Sequence, residues 1–401
     1  MKIKRTSVYF VCSLAIICFV LHGCSKTSTP SNGIIPPPLT VLPIKVDSNL
    51  YTVSGTGGID TGNILLSVNT TDSGFLVIMD QRGNLIKKKS SALRVDNFQK
   101  WTINGNTRYT YLQTEGDSLV SGVQGTEEGY VYVCDSNLSV INRIALLPSQ
   151  QYDTSLSSKL DLHEFILIGD NHYIGITYRE VHPTNIPDSL HPAANVAVLA
   201  CIIQEVDNGT VIFQWDGTDY PEFYGASAEN NDFTSTTAAM DYMHMNSVAI
   251  DSNDQNLIVS FRNLNQIIKI NRTTGAIMWR LGGTDSDFPL TADQSFLRQH
   301  YVRQTDGGQS LLFVDNGFAG VRSNSRIMEM TLDENSKTVT SYNAYKVPDK
   351  FIQFAGSVKK ENDSYFIGGG SAGYALQVNY TTNEVYLRVN QLQTSYRALK
   401  Y

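Results

Sequence analysis

Six segments of this chain repeat one punctuation, and that repeat constrains the fold more than any other feature. Each is an apolar run that ends near an Asp or Asn, crosses a short polar turn and resumes: VIMDQRGNLI, VYVCDSNLSVI, IQEVDNGTVIFQW, IKINRTTGAIMW, MTLDENSKTVTSY and LQVNYTTNEVYL. The markers are Asp80, Asp135, Asp207, Asn271, Asp333 and Asn379, spaced by 55, 72, 64, 62 and 46 residues. Asp, Asn and Gly tolerate the backbone angles of tight turns, so each junction reads as a hairpin. Two further apolar runs precede each junction, which makes units of four strands. One such sheet alone exposes both faces, whereas a closed ring of six covers them. The expected fold is all-β, a six-bladed β-propeller of four-stranded blades over residues 49–401. A pair of β-sandwiches is the competing arrangement, and six serial copies of one unit argue against it.

Composition agrees. Charged residues are 17% of the chain, while Tyr and Phe number 21 and 16, a mix that favours strands. The formal net charge is −7 and there is no basic run or patch suited to a phosphate backbone, so nucleic acid is not expected as a partner. Residues 1–24 read as a targeting segment. Lys2, Lys4 and Arg5 precede an apolar stretch from Val8 to Val20, too short for a comfortable span. It ends in Leu21-His22-Gly23-Cys24, which resembles the lipobox of bacterial lipoproteins and implies lipidation at Cys24. A plain secretory peptide is the alternative. The implied location is the cell envelope, with a lipid anchor in the membrane; Ser25 is compatible with the outer membrane. Residues 25–48 read as a disordered spacer, rich in Ser, Thr and Pro up to Pro38. Cys134 and Cys201 sit in strand-like runs and read as buried small apolar residues, unless their strands are neighbours and they pair.

The first strands of blades three, four and five read LHEFILIGD, MHMNSVAID and QHYVRQTD. His163, His244 and His300 precede Asp170, Asp251 and Asp306 by 7, 7 and 6 residues. Three imidazoles therefore share one register in consecutive blades, and innermost strands would bring them to one mouth of the central channel. The second strand of blade four ends in SFRN and returns Arg262 to the same end. A lone histidine there is most often a hydrogen-bonded structural residue; three in one register are harder to dismiss. His172, His182 and His191 fall in turns or loops and read as surface residues, with His182 and His191 as further candidates for the mouth. The long segments Glu180–Ala194 and Asp216–Ala239 of blade three are expected to shape that mouth or cover it.

The stretch DYMHMNSVAIDSNDQNLIVSFRNLNQIIKINRTTGAIMWRLGG resembles the signature blade of bacterial arylsulfotransferases. The family pattern is His-x-Asn-Ser, a strand ending in Ser-x-Arg, and a Thr-Gly hairpin closing on Trp-x-x-Gly-Gly. His244, Asn246, Ser247, Arg262, Thr274, Gly275, Trp279, Gly282 and Gly283 match it. Gln299, His300, Asp315 and Asn316 match the next blade, where Tyr301 and Val302 depart from an Asp-Ala pair. Asp161-Leu162-His163-Glu164 and Ser395-Tyr396-Arg397-Ala398 fit the family's earlier and closing motifs. The resemblance implies transfer of a sulfuryl group from an aryl sulfate to a phenol, independent of adenosine phosphosulfate. It implies a nucleophilic His300 that forms a sulfohistidine, with His163, His244 and Arg262 binding the sulfuryl group and its transition state. Asn246, Asn316 and Arg397 are expected to bind substrate. No cofactor and no metal is expected, and residues 39–50 are too few for an additional N-terminal β-domain, so a monomer is expected. No Cys-x-Pro-x-Arg sulfatase motif and no Gly-rich phosphate loop is present. Two other readings stay open: a non-catalytic ligand-binding propeller on the envelope, and a metalloenzyme using the three histidines, against which the adjacent guanidinium would act repulsively.

Overall fold

The computed structural model describes residues 47, 49–57, 62–115, 127–149, 158–305, 307–391 and 395–401. The targeting segment with Cys24, nearly all of the spacer, and Asp306 lie outside the described residues. The described chain forms six four-stranded antiparallel sheets arranged as a six-bladed β-propeller. All six marker residues stand at the junction of the third and fourth strands, four of them as the last residue of the third and two just beyond it. Five of them work by one device: a side-chain oxygen accepts the backbone N–H of the second residue downstream. Asp80 accepts from Arg82, Asp135 from Asn137, Asn271 from Thr273, Asp333 from Asn335 and Asn379 from Thr381. The side chain thus nucleates the turn that sequence alone announced.

The innermost strands of blades two to six are Val95–Ile103, Phe165–Gly169, Met245–Ile250, His300–Gln304 and Ser357–Glu361. Blade one takes its innermost strand from the other end of the chain: Ala398–Lys400 pairs with Asn63–Asn69, Ile64 opposite Lys400. Blade six in turn gains a fifth, outer strand, Tyr51–Ser54, paired with Val385–Gln391. Serial repetition does not reveal this exchange. Its physical reason is that a ring of sheets closes only when hydrogen bonds join the two ends of the chain.

Strand patterning follows position in the blade. In blade four both middle strands, Leu257–Phe261 and Gln266–Ile270, are buried throughout, because neighbouring blades cover both faces. The outer strand Leu85–Ser91 of blade one alternates instead, since one face meets water. The segments 182–197 and 217–244 fold against each other. Asn185 Nδ2 donates to the Thr218 carbonyl and the Ala193 N–H to that of Phe233, while Tyr224, Phe233 and Tyr242 of the second segment pack ring against ring. Cys134 and Cys201 are both buried, unpaired thiols.

Candidate active site

The three inner strands begin at one end of the ring. His163 and His244 stand just before their strands and His300 opens its own. The rings of His163 and His244 meet edge to face, centroids 4.9 Å apart. Arg262 follows the second strand of blade four, and its backbone N–H donates to the His244 carbonyl at 2.9 Å. All four side chains line one cavity of about 520 Å³. Among the described residues, the other histidines do not join them. His172 pairs with Glu205, His182 donates through Nδ1 to the carbonyls of Asn195 and Val196, and neither His182 nor His191 lines the cavity. Of blade three's two long segments, only the second reaches it, through Glu229 and Asn230.

The surroundings of His300 fix its tautomer. Nδ1 lies 2.9 Å from the Arg298 carbonyl and 2.8 Å from Asn316 Oδ1. Both are acceptors, because Asn316 uses its Nδ2 to donate to the Ile352 and Ala355 carbonyls. Nδ1 must therefore carry the proton and Nε2 the lone pair. The Ala355 N–H indeed donates to Nε2 at 3.2 Å. Burial, then the Arg262 charge, hold the His300 pKa well below the ordinary histidine value, outweighing the Asn316 bond. His300 is thus a neutral imidazole whose base nitrogen is Nε2.

His163 and His244 are oriented by acids close in sequence. Each Nδ1 lies 2.5 Å from a carboxylate oxygen, of Asp161 and Asp241 respectively. Burial, with the charges of His244 and Arg397, holds His163 well below its usual pKa. Burial pushes Asp161 up to about 7, so this pair shares one proton rather than separating two charges. The acids were visible as Asp-x-His and Asp-x-x-His spacings, but nothing in the sequence distinguished them from ordinary strand-flanking aspartates.

Three arginines rim the cavity, not one. Arg262 Nη1 reaches Glu229 Oε2 at 3.0 Å, and Arg298 Nε reaches Oε1 of the same carboxylate at 2.5 Å. Arg94, tied to Asp96 and Glu127, stands on the blade-two side. Glu229, Arg298 and Arg94 lie on connecting segments with no repeating register, so sequence reasoning had no signal for them.

Asn246, Asn316 and Arg397 were expected to touch substrate, and none of them lines the cavity. Their polar groups hold the protein together instead. Asn246 Nδ2 donates to the Gln299 carbonyl, joining blades four and five. Asn316 joins His300 to the loop at 352–355. Arg397 is fully buried beneath the histidines, donating to Asn97 Oδ1, Glu164 Oε1 and the Asn246 carbonyl. Its guanidinium carbon lies 4.9 Å from the Tyr396 ring centroid and 4.8 Å from that of Tyr301. Burial alone would raise the Glu164 pKa, but Arg303 and Arg397 outweigh it and hold the carboxyl below its ordinary value. Tyr301 and Val302, the departures from the family pattern, are absorbed in the same layer. Val302 is core, its N–H donating to Ser247 Oγ. The orientation of His300 rests on Asn316 and Arg298, so the missing Asp-Ala pair leaves it supported.

Among the described residues, no three His, Cys, Asp or Glu side chains are grouped so as to hold a metal ion. The chain matches the sequence model of the arylsulfotransferase (ASST) family over residues 44–397. It belongs to the arylsulfotransferase family. Membership supports a sulfotransferase activity. A search of curated proteins finds no match to the chain. Solved structures resemble this arylsulfotransferase family member only in broad outline. A protein of unknown function from Bacteroides caccae is 10% identical, with a TM-score of 0.45 over 85% of this chain and 99% of that one. Apo AztD from Citrobacter koseri is 6% identical, TM-score 0.38, over 85% and 98%. Virginiamycin B lyase from Staphylococcus aureus is 10% identical, TM-score 0.37, over 86% and 89%. Likeness at this level carries no functional argument.

Proposed function

We propose that this protein moves a sulfuryl group from an aryl sulfate to a phenol through a transient sulfohistidine on His300, without an adenosine phosphosulfate donor. The observation that carries the reading is the His300 tautomer: a neutral imidazole with its lone pair on Nε2, in the cavity that Arg262 also lines. A sulfate monoester carries one negative charge over three non-bridging oxygens. A neutral nucleophile approaches it without repulsion, and Arg262 offers a planar fork of donors to those oxygens. In the first half-reaction the Nε2 pair forms the N–S bond as the S–O(aryl) bond breaks, its electron pair leaving on the phenol oxygen. His244, as an imidazolium paired with Asp241, gives that oxygen a proton. In the second, neutral His244 takes the proton of the acceptor phenol, whose oxygen forms the new S–O bond while the N–S pair returns to Nε2. When the shared proton sits on Asp161, His163 carries its own on Nε2 and donates to a sulfuryl oxygen. The Ala355 N–H must leave the lone pair before attack.

The test is release of nitrophenolate from 4-nitrophenyl sulfate in the presence of a phenol acceptor. The wild type should release it, His300→Ala should not, and a sulfur label should be trapped on His300 when acceptor is withheld. No release with any of several acceptors, together with no label, would favour the ligand-binding propeller. Arg262→Ala should lower the rate by about 10²–10³, as for other lost oxyanion donors. The lipid anchor at Cys24, the envelope location and the monomeric state belong to the same proposal. They rest on the sequence, and a Cys24→Ser variant that still partitions with membranes would overturn the anchor.

A further inference from the structure

The floor of the cavity is polar and accounts for a sulfuryl group, but not for the ring attached to it. Whatever holds that ring must stand between the histidines and solvent, where two features have no structural explanation. The first is Phe354. It lines the cavity and is 51% exposed, although its backbone is pinned: its N–H donates to Ser371 Oγ and its carbonyl accepts the Ser371 N–H. Asn316 and Ser325 fasten the same loop through Ile352 and Ala355. An aromatic side chain held half in water by a fixed loop has apolar area that a ligand can cover. The second is Arg298. One edge of its guanidinium is tied to Glu229 and its carbon lies 4.3 Å from the Phe318 ring centroid, yet the residue also lines the cavity. A guanidinium held over one ring in this way can stack a second aromatic ring. Phe318 behind it is 44% exposed.

We infer that Phe354 and the Arg298–Phe318 pair form an aryl-binding rim, which selects flat aromatic donors and acceptors over alkyl ones. This rests on the reading of the floor as a sulfuryl site. It also gives Glu229 a purpose. A single carboxylate sets the spacing between the guanidinium that grips the sulfuryl group and the one that stacks on the ring. The rim's electrostatics suit the ring, since a phenolate-like leaving group is electron-rich and stacks well on a cation.

The experiment compares Phe354→Ala, Phe354→Tyr and Phe318→Ala with the wild type, using 4-nitrophenyl sulfate as donor and inorganic sulfate as competitor. Loss of one aromatic contact should raise the donor KM by about tenfold, with kcat held within about threefold. Phe354→Tyr should restore KM, and the inhibition constant of inorganic sulfate, which fits the floor alone, should not move in any variant. An unchanged KM in both alanine variants, or sulfate inhibition weakening in parallel with it, would overturn the rim. If the wild type itself transfers nothing, the sulfotransferase reading fails and calorimetric binding of 4-nitrophenyl sulfate decides the rim separately. About tenfold weaker binding by Phe354→Ala supports it, and equal binding overturns it.

Discussion

His300 has its reactive nitrogen chosen by neighbours that never touch the substrate. Two oxygen acceptors hold the proton on Nδ1, and burial beside Arg262 keeps the ring neutral. The sign of the pH dependence follows. A histidine whose folded pKa is depressed stays unprotonated as pH falls through 6.5, the value at which a free imidazole would be half protonated. The acid limb of kcat/KM should therefore lie well below pH 6.5. Asn316→Asp should move it upward, because a carboxylate at Nδ1 favours the imidazolium and removes the nucleophile at a higher pH. Profiles of the two proteins from pH 4 to 8 check this; coincident acid limbs would show that Asn316 does not govern the ring. At the same scale, Glu229→Gln keeps the shape of the tether but removes the charge shared by Arg262 and Arg298. Its expected effect is a loss in kcat/KM of about tenfold or more, corresponding to one charge-assisted bond, with Glu229→Asp retaining less than wild type but more than Gln.

At the level of strands and turns, the motif residues of blade four are mostly carpentry. Gly282 and Gly283 have φ of +80° and +67°. A Cβ on Gly282 would stand 2.5 Å from Phe296 and 2.7 Å from the Asn265 carbonyl. Gly282→Ala should thus cost about 1–3 kcal/mol through strain and overpacking, read as a lower urea midpoint with unchanged slope. Gln299 donates to Ser260 Oγ and to the Phe261 and Gln266 carbonyls, fastening the strand that carries His300 onto blade four. This explains what was legible beforehand. Turn-forming aspartates and asparagines act on residues two positions away, so their pattern survives in a single sequence and announces the blades. The histidine register is equally local, because each sits at a fixed offset in its own repeat. Arg298, Glu229 and Phe354 reach the cavity from connecting segments without a repeat, and only tertiary packing assigns them. Arg397 misleads for the same reason: a conspicuous motif arginine cannot be told from a ligand-binding one until its partners are seen.

For the ring as a whole, that arginine is the axle. Tyr396 lines the cavity with the histidines, while Ala398 lines a second cavity of about 250 Å³ farther along the inner strands, bounded by Tyr301, Arg303 and Lys360. Arg397 lies between them and lines neither. It ties the C-terminal strand of blade one to Glu164 of blade three, Asn97 of blade two and Asn246 of blade four. Arg303 of blade five joins through Glu164. One buried ion pair thus holds five of the six blades in register, next to the strand Ala398–Lys400 that closes the ring. A buried pair of this kind adds little net stability compared with apolar replacement of both partners, but loss of one partner strands the other. Arg397→Met leaves Glu164 with one guanidinium and should destabilise the fold by about 3–5 kcal/mol. Glu164→Gln leaves Arg397 and Arg303 facing a neutral amide, and the double variant should recover part of the loss, since only Arg303, which is partly exposed, then lacks its carboxylate. Chemical denaturation of the four proteins closes the cycle. Strictly additive losses would mean that the two side chains act independently and that the ring is held by the C-terminal strand alone.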